Sequence, residues 1–153
     1  MSQGGRTLHE LGSLRLLKDT RLSLGSSSEV TPLVVPAPVT LTDADATVTV
    51  DDVKSGLFVQ TPTVSRTTTL PTAALLASFL KKVGDSVDLV VINLGADTID
   101  SVIAAGSGGS IVGSAVVKDS DPTTASASGS AVFRIRQTNV SSGTEAYVCY
   151  RVC

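Results

Sequence analysis

The chain has 153 residues, 42% of them hydrophobic, enough for one domain with a buried core, or one domain with an arm. Its 12 basic and 14 acidic residues give a net charge of −2, which excludes a strongly basic nucleic-acid wrapper as the main activity. No apolar run approaches the roughly 20 residues of a membrane span, and Arg15 interrupts Leu14–Leu17, so no signal-peptide core is expected.

Residues 1–29 form a separate stretch. Leu8, Leu11, Leu14 and Leu17 are spaced by three, as on one face of a short amphipathic helix. Gly4, Gly5, Gly12 and the Gly25–Ser28 linker argue against a stable free helix. A disordered tail, an arm that orders only against neighbouring subunits and an integral part of the core all fit these residues. So many leucines are unusual for a purely solvating tail.

The body is expected over residues 30–153. Val, Thr and Ile account for 44 residues, and these types favour strands. Leu33-Val34-Val35 lies among Pro32, Pro36 and Pro38 and suits an edge or an extended linker. Thr47–Val50 alternates like a half-buried strand, and Leu57–Val59 is another. Arg66–Leu70 reads as a strand. Pro71 then opens a helix through Ala73–Leu80, with Lys81 and Lys82 at its C-terminal dipole. Val87–Asn93 is apolar enough for a central strand. Thr98–Ala104 and Ile111–Val117 follow, with a hairpin turn at Gly106–Gly109 between them. Ser130–Gln137 alternates, placing Ala131, Phe133 and Ile135 on one side and Arg134 and Arg136 on the other. Thr144–Val152 is the last strand. Phe133, Ile135, Leu89, Val91 and Val148 are expected in one core. The list predicts an all-β fold: a single jelly-roll-like antiparallel β-sandwich of about eight strands with one short helix and an N-terminal extended arm.

Chemistry-bearing residues are few. His9 is the single histidine and sits in the leader, so a Ser-His-Asp or Cys-His site is not expected. Cys149 and Cys153, four apart on a strand, are separated by about 13 Å, too far for a bridge. Cys149 reads as buried, and Cys153 as incidental or as a partner in an intermolecular disulfide. Asp43, Asp45, Asp51 and Asp52 lack the order of a calcium loop and read as solvated loop carboxylates. Gly106-Ser107-Gly108-Gly109 precedes a strand-like run and lacks the helix of a phosphate loop. The Asn139-Val140-Ser141 sequon reads as a turn. No catalytic set, cofactor or metal is expected.

Three blocks carry a resemblance: Arg66–Leu76; Val83–Asn93; and Phe133–Tyr147 with the ending Tyr150-Arg151. Together they resemble a module of structural proteins of large icosahedral double-stranded DNA viruses of algae, of the chlorella-virus capsid and vertex type. The resemblance implies a viral structural protein located in the virion, most specifically a penton subunit closing the five-fold vertex. It also implies self-association, with a pentamer preferred over a trimer, and contacts with other capsid proteins. A fibre-head or spike module binding host-surface glycans and a minor capsid cement protein are the alternatives. The interface candidates are Arg134, Arg136, Leu8, Leu11, Leu14 and Leu17, with acidic loops such as Asp97–Asp100 or Asp119–Asp121 of a neighbour as possible partners of the arginines.

Overall fold

The computed structural model describes residues 36–96, 98–119 and 129–153. The chain divides into Met1–Leu33 and Val34–Cys153, and the described residues all belong to the second unit. They form ten strands and two short helices: β1 (Val39–Leu41), β2 (Ala46–Thr47), α1 (Val50–Ser55), β3 (Leu57–Gln60), β4 (Arg66–Thr69), α2 (Ala73–Leu76), β5 (Ser86–Asn93), β6 (Ser101–Ala104), β7 (Gly109–Val112), β8 (Val116–Val117), β9 (Ser130–Asn139) and β10 (Ala146–Arg151).

The strands make two sheets, a six-stranded one in the order β1-β3-β5-β9-β10-β7 and a four-stranded one in the order β2-β4-β6-β8. The all-β, sandwich-like expectation is met, but the purely antiparallel one is not. β1, β3 and β5 run parallel to one another, as do β2, β4 and β6, and β7 is parallel to β10. The reason is the winding. From β1 to β6 the chain steps from one sheet to the other at every strand, so each crossover between parallel neighbours includes a strand of the opposite sheet as well as a short helix. Antiparallel pairing joins β8 to β6 in the four-stranded sheet, and in the six-stranded sheet it begins where β9 turns back beside β5 and β10 beside β9.

Both helices connect the four-stranded sheet to the six-stranded one, ahead of the parallel strands β3 and β5, and so lie at the same end of the body. α1 is the main departure from the sequence reading, which has a strand over Thr47–Val50. Thr49 and Asp52 form a capping box: the Thr49 hydroxyl accepts from the Asp52 amide and the Asp52 carboxylate accepts from the Thr49 amide at 2.7 Å. Gly56 closes the helix in the left-handed region (φ 71), donating to the Val53 carbonyl. Asp52 is therefore a cap rather than a solvated loop carboxylate. α2 stops at Leu76, short of Leu80, and the Ser78 hydroxyl bonds the Leu75 carbonyl at 2.7 Å. Lys81 and Lys82 thus lie beyond its last turn.

Phe58, Leu70, Leu76, Leu89, Val91, Phe133 and Ile135 are fully buried in one core between the sheets. Val148 is not among them. On β10 it is Tyr147 and Cys149 that point inward, and Val148 faces outward beside Arg136. The Ile111–Val117 run is two strands in different sheets, broken at Gly113 (φ 94). Gly106–Gly109 accordingly links the two sheets and is no hairpin. A β-carbon at Gly109 would stand 2.2 Å from the Tyr147 ring, so only glycine fits there.

Candidate functional site

Arg134 and Arg136 project from the outer face of the six-stranded sheet, on the same side of β9, as their spacing predicts. Arg134 does not wait for a neighbour. Its guanidinium forks onto Asp88 of β5, with Nε and Nη2 each 2.7 Å from a carboxylate oxygen. The fork holds the Asp88 carboxyl below its ordinary pKa and raises that of Arg134. Both side chains are about half exposed, so the pair contributes little to stability. Arg136 stands opposite Ser86 and Val148 and has no carboxylate partner among the described residues. Of the acidic loop residues, Asp100 is engaged by Lys118 at 3.1 Å and Asp119 accepts from the Thr98 amide at 2.8 Å. Asp97, Asp121, His9, Leu8, Leu11, Leu14 and Leu17 lie outside the described residues.

Asp43 and Asp45 are also structural. The Asp43 carboxylate takes the Thr63 hydroxyl at 2.6 Å and Arg66 Nε at 2.8 Å, and these donors hold its pKa down to about 2. Asp45 accepts from the Thr67 amide at 2.8 Å. The Cys149 thiol is buried, and burial pushes its pKa up to about 12, far from a reactive thiolate. Cys153 is exposed. Asn139 ends β9 just before the turn, its side-chain amide donating to the Thr144 carbonyl at 2.8 Å and its side-chain oxygen accepting from the Ser141 amide.

A cleft of about 400 Å³ opens beside α2, lined by Thr72, Ala73, Ser107, Gly108, Gly143 and Glu145 among others. Two of its polar side chains are engaged within the chain: the Thr72 hydroxyl caps α2 and a Glu145 carboxylate oxygen accepts from the Gly143 amide at 2.9 Å. Among the described residues no group of three His, Cys, Asp or Glu side chains is placed to hold a metal ion, and no helix is long and apolar enough to cross a membrane.

Sequence reasoning missed the buried polar ties that join the sheets at the end opposite the helices. The Ser101 hydroxyl donates to Gln60 Oε1 at 2.8 Å, and Gln60 Nε2 donates to the Thr42 carbonyl. Asn93 Nδ2 reaches the carbonyls of Ile99 and Val117, while its oxygen accepts from the Gly95 amide. The signal was present: Gln60 and Asn93 are the inward positions that end the alternations Phe58-x-Gln60 and Leu89-x-Val91-x-Asn93. Arg151 adds another tie. It lies 5.9 Å from the Phe133 ring centre and donates to the Val116 carbonyl in the other sheet.

Comparison with known proteins returned no matching family model, no matching curated protein and no matching solved structure.

Proposed function

We propose that the protein is a viral structural protein, a capsid assembly subunit of the virion, and most specifically a penton protein closing the shell at the five-fold vertex. The three blocks behind the resemblance make up β4 with α2, β5, and β9 running into β10. The single observation that carries the reading is the outer face of the six-stranded sheet. Two of those blocks, forming β5 and β9 with β10, supply its middle, and together with β3 they give it apolar outward side chains, as an assembly subunit requires. In this reading the two-sheet body does the work of a jelly-roll subunit despite its parallel pairings, with no chemistry of its own. It meets copies of itself through a closed ring, pentameric in preference to trimeric, and meets other capsid proteins at its rim.

The test is mass-spectrometric quantification of the protein in virus particles purified from infected host cells, with antibody labelling to locate it. Presence at a fixed low multiple of the major capsid protein, with label at the vertices, supports the reading. Absence from purified particles overturns it.

A further inference from the structure

The parallel strands β3 and β5 have apolar side chains on both faces. Phe58, Leu89 and Val91 point into the core, and Leu57, Val59, Val90 and Ile92 point away from it. Such unbroken runs are characteristic of strands covered on both sides. The register assembles the outward residues into rows. Leu57 lies beside Val90, Val90 beside Val132, and Val132 exchanges backbone bonds with the C-terminal segment at Val152, which is 55% exposed. Val59 lies beside Ile92 in the next row. The two described helices are at the end of the body, and among the described residues no strand layer lies over this face.

We propose that the outer face of the six-stranded sheet is a self-association surface, covered by a second copy of this chain. Two observations favour a second copy. The first is area. Six strands at a spacing of about 4.8 Å, with β5 about 26 Å long, give a footprint of roughly 600 Å² before side-chain relief is counted. That is of the order of the about 800 Å² per partner of a stable interface. The second is charge. The polar corner of the face, next to the apolar rows, carries both signs: Asp88 with Arg134, and Arg136 two residues along the same strand with no carboxylate partner among the described residues. Asp88 and Arg134 already neutralise each other, so a second copy can cover the apolar centre and leave the charged corner at the wet rim. The inference deepens the assembly reading but concerns the chain in solution, so its failure is separable from absence of the protein from particles.

The experiment is sedimentation velocity on the full chain over a concentration series, for the wild type and for the double variant Val90→Thr with Ile92→Thr. Threonine keeps the β-branched shape at these partly buried strand positions, and an unchanged far-ultraviolet circular dichroism spectrum verifies that the variant is folded. The expected result is a wild-type oligomer whose dissociation constant rises at least about tenfold in the variant, a change of about 1.4 kcal/mol. A wild-type chain monomeric at about 100 μM overturns the proposal, because the face is then covered within the chain or needs no cover. An oligomer that the variant leaves unchanged also overturns it, by placing the contact elsewhere.

Discussion

Phe133 shows how far a single residue can be argued. Its ring is fully buried, it sits opposite Leu89 on β5, and the Arg151 guanidinium stands beside it. Truncation to alanine removes that packing and leaves a cavity, so Phe133→Ala is expected to lower stability by about 3–5 kcal/mol in denaturant titration. A loss under about 1 kcal/mol, the range of ordinary surface changes, contradicts this core assignment. Val148 was read into the same core and is not there, because strand alternation fixes two faces but does not say which one meets the other sheet. The aromatic at Tyr147 settles it. Its ring lies over Gly109 and its hydroxyl accepts from the Gly106 amide at 2.8 Å. Asp43 gives a pH-dependent prediction. Its folded pKa, about 2, lies below the ordinary 3.8, so its contribution is complete above about pH 4 and is lost as pH falls toward 2. Asp43→Asn is expected to lower the melting temperature near neutrality and to flatten its fall between about pH 4 and pH 2. An unchanged acid profile contradicts the role given to the Thr63 and Arg66 donors.

At the scale of elements, the strands were legible wherever alternation was long. β5 and β9 lie within one and two residues of their expected bounds because each buries alternate side chains over seven or more positions. Short elements were hidden by competing signals. Thr47-Val48-Thr49-Val50 alternates like a strand, yet Thr49-x-x-Asp52 followed by Gly56 is a complete helix start and stop, and the local hydrogen bonds prevailed. Thr49→Ala is therefore expected to cost about 0.5–2 kcal/mol, measured by thermal melting, with Thr49→Ser recovering most of the loss. Equal stability of the alanine and serine variants contradicts the cap. Parallel pairing was illegible for another reason: β1 to β6 are spaced as antiparallel strands are, and nothing local records that each step crosses to the other sheet.

For the whole molecule, the division of labour is between a sealed interior and an unfinished exterior. Between the sheets, apolar packing and the Gln60, Ser101 and Asn93 ties satisfy one another. Outside, β3 and β5 present a second apolar face beside Asp88, Arg134 and Arg136. The sequence reading found the two arginines and their outward direction from the alternation of β9. It missed the Asp88 fork, because pairing between β5 and β9 is a property of the register, and it missed the apolar face because Leu57–Val59 read as a half-buried strand and Val87–Asn93 as a central one. Self-association is the claim on which the account rests, and native mass spectrometry of the full chain at micromolar concentration tests it most directly. The account predicts paired copies held through the outer face of the six-stranded sheet, and a five-membered ring only by a further, heterologous contact. A spectrum of monomer alone at every concentration contradicts it.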